Sequence, residues 1–461
     1  MPNYGSTIAD LEPGRPAYRI VAPKKLALGK SVNGSKSPGL FRVYVPTRDG
    51  GELELKTTGG EIRVYGPDGQ PARDADGNPV AAGSTVKFEV PFDVFGWFGI
   101  VVTGSTSYQL SSKFTIRGKA KDADGTDLVP WHFYYFAFTR VVDWGTNHPS
   151  AKYQRRFGGQ ANDWEKTSFW ISEKTRGISG YDGHGITAEA CNEKNARSGT
   201  NYTVENCGWW GHCDAAATAA AIFKKVPAAS GFDPIDLQWM LTEIAMRHAV
   251  PQLRCEFHLG GENQAYPRSA PSNQEEAKPE GGQNVDRDAG RFHAALVRVI
   301  KRRAEPALMD FRALQKWGGP DEVWNQLCYK FESEVVEAED DRAGADEEAL
   351  ARRVSVKTRL TANADNENLA KNNGDPESDG QGWIRDCEYT ISFDKNGNVD
   401  IANPSNNYTY VGWGKDAPGY PPRYIFTIKA PNFGTAAGGN PHVSWDKVRA
   451  LGVEMRKRYG G

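Results

Sequence analysis

The sequence predicts an α+β protein, in which an all-β sandwich domain precedes a larger domain that mixes helices and strands. Three observations carry this. The first 120 or so residues hold short alternating strands broken by frequent turns. An alanine-rich stretch after Cys213 and a second stretch opening at Asp233-Pro234 have helix-forming composition and helix-entry signals. Strand-like segments then return towards the end of the chain, from Tyr389 onward.

In residues 1–120, Leu40 to Val45 and Val86 to Val90 alternate apolar and polar side chains, as half-buried strands do, and Glu61–Tyr65 and Ser112–Arg117 behave alike. Gly66-Pro67-Asp68-Gly69, Asp74 to Pro79 and Gly104-Ser105 are turn signals. Many short strands with regular turns read as a sandwich. The Asp74/Asp76/Gly77 group lacks the remaining ligands of a calcium loop and reads as a hairpin tip. The aromatic run Val94 to Ile100 reads as sandwich core in preference to a sugar-binding face. Residues 121–130 are polar and charged and read as a linker, so residues 131–461 form the second domain.

Within that domain, Leu237, Met240, Leu241, Ile244 and Ala245 mark the buried face of the helix that starts at Asp233. The polar stretch 262–286 reads as a long loop beside the site. Phe292 to Ile300 reads as a strand, Pro306 to Trp317 as a short helix, and Val323 to Tyr329 as the next strand. Residues 334–346 are rich in Glu and Asp and read as a solvated segment. The chain closes with a hairpin at Tyr389–Val399 turning on Asn396-Gly397, strands at Tyr408–Trp413 and Arg423–Lys429, and a helix over Trp445–Tyr459.

Composition narrows the function. With 461 residues, 56 basic and 58 acidic side chains and a formal charge of −2, nothing points to a nucleic acid or an anionic membrane as partner. Six cysteines with no C-x-x-C pair argue for neither a disulfide scaffold nor a zinc site. No run approaches the ~18 apolar residues of a membrane helix. Met1-Pro2-Asn3-Tyr4-Gly5 has no basic or apolar leader, so no signal peptide is expected. The expectation is a chain that is cytoplasmic when made, with export by a signal-less route left open.

The chemistry centres on Val204 to Phe223. Glycines at 208 and 211 make an irregular approach, and Cys213 stands at the start of the alanine-rich helix. Unpaired N–H groups and the helix dipole at such a start favour an anion and so a thiolate. Trp209 and Trp210 are placed to wall the sulfur in. The other five cysteines read as inert core. Acyl chemistry on a thiol also needs an imidazole, a group that orients it, and oxyanion donors. Cys213, His293 and Asn325 supply the first three in order, at spacings of 80 and 32 residues. Asp321 is a reserve orienter. His212, next to the sulfur in sequence, reads as a wall or helix-entry residue.

The segment Asn206-Cys207-Gly208-Trp209-Trp210-Gly211-His212-Cys213-Asp214-Ala215 resembles the N-Q-G-x-x-G-x-C-x-A segment of papain-like cysteine peptidases, and more closely the G-W-W-G-H-C of the transglutaminase-elicitor family. Asp288 to Leu296 resembles that family's N-P-x-x-F-H-x-x-L, and Glu322-Val323-Trp324-Asn325-Gln326 its E-V-W-N-Q-P, with Leu327 in place of proline. The resemblance spans about Tyr134 to Trp413. It implies a papain-like, transglutaminase-type catalytic domain after the sandwich, and protein-glutamine gamma-glutamyltransferase activity. A Gln amide would acylate Cys213, and a Lys amine or water would take the acyl group. Substrates would be proteins or peptides bearing Gln and Lys. A toxin or effector is a plausible setting, with the sandwich docking a protein or glycan. Cys207 stands where papain-like enzymes carry the oxyanion glutamine; Asn206, Trp209 or Trp210 would have to supply the donor. No calcium loop is recognisable, so no cofactor and no metal are expected. The competing readings are a papain-like peptidase and a non-catalytic binding protein with a retired catalytic domain.

Overall fold

The computed structural model describes residues 23–133, 147–163, 212–224, 228–258, 289–313, 322–338, 352–363, 383–401, 403, 406–412, 422, 424–434 and 439–461. It mixes helix and sheet and is rich in sheet.

Eight strands fill the N-terminal part: β1 (Lys24–Lys25), β2 (Ser31–Gly34), β3 (Gly39–Val45), β4 (Gly51–Thr57), β5 (Glu61–Tyr65), β6 (Thr85–Val90), β7 (Gly96–Thr103) and β8 (Tyr108–Lys119). They form two layers, β1-β3-β7-β5 and β2-β8-β4-β6. The period-2 pattern is the cause: in β6, Val86, Phe88 and Val90 are buried while Thr85, Lys87 and Glu89 are exposed. Phe88 of one layer meets Phe98 of the other at 6.3 Å between ring centroids. At the tip near Asp74, the Asp74 carboxylate accepts the N–H groups of Asp76 and Asn78, and Gly77 takes φ +83°. This is an aspartate-capped turn, as expected of a hairpin.

The remaining strands are β9 (Arg254–His258), β10 (Ala307–Ala313), β11 (Glu322–Glu337), β12 (Arg353–Ala362), β13 (Trp383–Ser392), β14 (Asn407–Gly412) and β15 (Tyr424–Thr427), in the order β14-β13-β12-β11-β10-β15-β9. The 16-residue β11 is shared: residues 322–328 pair with β10, residues 330–335 pair with β8, and β12 lies along its other edge. One 11-stranded sheet therefore runs from the N-terminal strands into the C-terminal ones. The boundary expected at residues 121–130 falls within this continuous architecture, bridged by the pairing of Lys119 with Lys330.

Five α-helices are described: α1 (Pro149–Phe157), α2 (Cys213–Ile222), α3 (Pro234–His248), α4 (Ala289–Leu296) and α5 (Trp445–Arg449). In α2 the alanines at 215–217 and 219–221 are all fully buried, because only small side chains let this helix lie against α3 and β11. Asp233 and Asp236 cap the start of α3 reciprocally, and Lys152 of α1 bridges both carboxylates at 3.0 and 2.8 Å.

The sheet's alternation sorts two cores. Leu308, Leu327, Tyr424 and Phe426 pack with α2 and α3. Ala307, Met309, Cys328 and Ile425, on the opposite face, pack with α4 and the N-terminal strands.

Three expectations need correction. Residues 292–300 are not a strand: α4 continues into a π-helical turn at Val297–Arg302. Phe292, Ala295, Leu296, Val299 and Ile300 are all buried at helical spacing, and that period outweighs the apparent alternation. Pro306–Trp317 is not a helix: Ala307–Ala313 is strand β10, paired on both edges with β11 and β15. A helix-forming composition yields to a slot between two strands. The C-terminal helix is shorter than read, ending at Arg449, with a separate 3-10 turn at Lys457–Tyr459.

Candidate functional site

Cys213 occupies the first position of α2, as the sequence predicts. It is partly exposed, and its helix packs against β11 and β10. The Asn325 Nδ2 group donates to the Cys213 Sγ at 3.4 Å. Two residues 112 apart in sequence are thus brought into contact. An amide donor at this distance stabilises negative charge on sulfur, as does the helix N-terminus. Asp214 follows in the first turn, and its carboxylate accepts the N–H of Ala215 at 2.7 Å.

His293 is elsewhere. It lies on α4, fully buried, with Nδ1 2.8 Å from the Tyr389 hydroxyl and its ring edge-on to Tyr389 and Phe393. That is the opposite core from the one Cys213 packs against. The structure therefore does not bring His293 and Cys213 together: the imidazole packs as a core side chain on the other face of the sheet. Its hydroxyl partner belongs to a buried chain: Tyr389 meets Thr358 at 2.8 Å, and Thr358 meets Ser333 at 2.7 Å. Burial pulls the imidazole down to about 4, with the Asp49 carboxylate opposing.

His212 is buried immediately before α2. Its Nδ1 lies 3.2 Å from a carboxylate oxygen of Glu243 on α3. Glu243 has no solvent exposure, and its other oxygen accepts the N–H of Asn440 at 2.6 Å. This carboxylate was not legible in the sequence as part of the site. Its one signal is a charge inside the apolar run Leu241-Thr242-Glu243-Ile244-Ala245-Met246.

The strand register adds two positions. Asn325 stands opposite Asp310 on β10, Asp310 opposite Tyr424 on β15, and Tyr424 opposite His258 on β9. One row across four strands therefore carries Asn325, Asp310, Tyr424 and His258. Which residues share such a row is a property of strand pairing, which local sequence pattern does not encode. Asn206, Cys207, Trp209, Trp210 and Asp321 lie outside the described residues.

Burial separates the other thiols from Cys213. Cys328 and Cys387 are fully buried, and burial pushes both up to about 12. Cys255 is half-buried and is also pushed up, chiefly by burial. Among the described residues no group of three or more His, Cys, Asp or Glu is arranged to hold a metal ion, and no helix is long and apolar enough to cross a membrane.

No protein-family model matches the chain, and no curated protein does. Among solved structures, the chain is similar to the GP42 transglutaminase from Phytophthora sojae, at 16% identity over 73% of this chain and 90% of that one, with a TM-score of 0.40. It is also similar to the pre-peptidase C-terminal domain of a collagenase from Bacillus anthracis, at 14% identity over 21% of this chain and all of that one, with a TM-score of 0.16. Neither likeness assigns a role to any residue of this chain.

Proposed function

We propose that this chain is a cysteine-dependent acyl-transfer enzyme with a papain-like arrangement, acting on glutamine side-chain amides of proteins. The observation that carries the reading is the Asn325 amide 3.4 Å from a thiol at the start of a helix. The three motifs that resemble the transglutaminase-elicitor family support the choice of substrate.

In this reading the Cys213 thiolate attacks the Gln carboxamide carbon. The C–N bond breaks, the nitrogen leaves as ammonia after taking a proton, and a thioester remains. A Lys amine then attacks the thioester, forming an isopeptide bond and returning the thiol; water in its place yields Glu. Asn325 and the α2 N-terminus stabilise charge on sulfur, and the Cys213 backbone N–H is one donor for the oxyanion. We do not give the proton to His293, whose imidazole is buried against Tyr389 and Phe393.

The test is intact-mass analysis of a Gln-bearing protein incubated with the enzyme and a small primary amine. A gain equal to amine minus ammonia, absent with Cys213→Ala, is the expected result. A gain of about one dalton, as when water accepts the same acyl group, means deamidation. Fragments mean a peptidase. No change with either substrate or acceptor refutes the acyl-transfer reading. Retained activity in His293→Gln checks that the buried imidazole takes no part in the proton transfers.

A further inference from the structure

The acyl-transfer reading leaves unused a buried carboxylate on the helix behind the nucleophile. Glu243 has no solvent exposure, yet it sits on α3 directly behind the residue that precedes the nucleophile. A carboxylate removed from water needs partners. Glu243 has three: the Asn440 N–H at 2.6 Å, the His212 imidazole at 3.2 Å, and the cation of Arg247, one helical turn on. The His212 contact joins two side chains that are both withdrawn from solvent.

The surroundings are built for this carboxylate. Gly439 takes φ +61°, and a Cβ there would stand 2.7 Å from the Glu243 carbonyl and 3.3 Å from its carboxylate. The next residue, Asn440, is fixed by its side chain to the Ala161 carbonyl at 2.9 Å, and its own carbonyl accepts from Arg247 at 3.2 Å. The loop therefore approaches Glu243 closely enough to donate to it, and only a glycine permits the approach.

We propose that Glu243 is a positioning residue for the Cys213 thiolate: it holds the His212 side chain, and with it the start of α2, so that the sulfur stays at the helix N-terminus and against Asn325. The inference rests on Cys213 being the nucleophile. Among the described residues, Asp214 follows on α2 and Arg247 lies one turn on in α3; Asp310 stands on β10 opposite Asn325, and Asn325 and Asn440 are neutral. A thiol held at a helix N-terminus against an amide donor is favoured as the thiolate; a bare carboxylate nearby disfavours it. The direction of change on removing Glu243 therefore separates the two roles.

The test is the rate of Cys213 alkylation by iodoacetamide in the full chain, followed by peptide mass from pH 5 to 9. Wild type, Glu243→Gln and His212→Gln are compared, with folding checked by circular dichroism. The expected wild-type midpoint lies below the ~8.5 of an ordinary thiol. Both variants should move it up by about one pH unit, a roughly tenfold loss of rate at the acid end, with an unchanged alkaline plateau. A depressed wild-type midpoint that Glu243→Gln leaves in place, or lowers further, overturns the inference and spares the acyl-transfer reading. An ordinary wild-type midpoint together with no product in the amine assay overturns both. Should Glu243→Gln fail to fold, His212→Gln decides alone: an unmoved midpoint overturns the proposal and a raised one upholds it.

Discussion

Acidification should strike this protein first through His293. The side chain is fully buried, and burial holds its imidazole at about 4 in the folded state, against about 6.5 in an unfolded chain. Because the folded value is the lower, the native state favours the neutral ring. The stability this represents is fully present above pH 6.5 and is lost as the pH falls towards 4. Linkage puts the loss at about 2 kcal/mol by pH 5 and about 3 kcal/mol by pH 4, a large share of a domain's net stability. The matched variant is His293→Gln, which keeps an acceptor for the Tyr389 hydroxyl and has nothing to titrate. Urea unfolding from pH 7.5 to 4.5 is the assay. Wild type should be the more stable at pH 7, with the gap closing by about 2 kcal/mol by pH 5. A gap that stays constant across that range, or an imidazole seen by NMR to titrate near 6.5, refutes the argument. The same result would also reopen the question of whether this histidine faces solvent and could serve the thiol.

Other outcomes follow from particular contacts. Tyr389→Phe removes the hydroxyl between His293 and Thr358; leaving buried polar groups unpaired should cost about 1–3 kcal/mol in urea unfolding. Ala217→Leu adds volume to a fully buried site on α2, and overpacking there should cost about 1–3 kcal/mol and lower the melting temperature. Gly397 takes φ +74°, and a Cβ there would stand 3.0 Å from the Arg48 backbone nitrogen; Gly397→Ala should destabilise by more than about 1 kcal/mol, where a compatible site would gain. Native-state alkylation at pH 8 should modify Cys213 and spare Cys328 and Cys387, whose thiols are buried and held near 12. Equal labelling of all three by peptide mass would contradict that burial.

Much of the architecture could be read from local pattern. The alternation in β6, the alanine run of α2 and the Asp233-Pro234 entry of α3 each fix their element without help from distant residues. Misreading began where local pattern was ambiguous. Phe292, Leu296 and Ile300 satisfy periods of two and of 3.6 alike, and the buried Ala295 and Val299 decide for the helix. Ala307-Leu308-Met309 has helix-forming residues and is a strand because two neighbours offer it hydrogen bonds. The site divides the same way. Cys213 announces itself through its helix start, whereas Glu243 and Asp310 gain meaning only from what packing and register bring beside them. The strand reading placed His293 free of its own core; as a helical residue on the far side of the sheet it is inside one.

The sharing of β11 bears on how this protein can be taken apart. A cut at residues 121–130 would leave the strand from Lys330 to Val335 without its β8 neighbour. It would bare backbone donors and acceptors on an edge that also carries the buried Phe331 and Val335. Such a fragment would recruit a replacement strand, most readily from another copy of itself. In this structure the N-terminal strands supply one neighbour of β11, and the hydrogen bonds of that edge come with them.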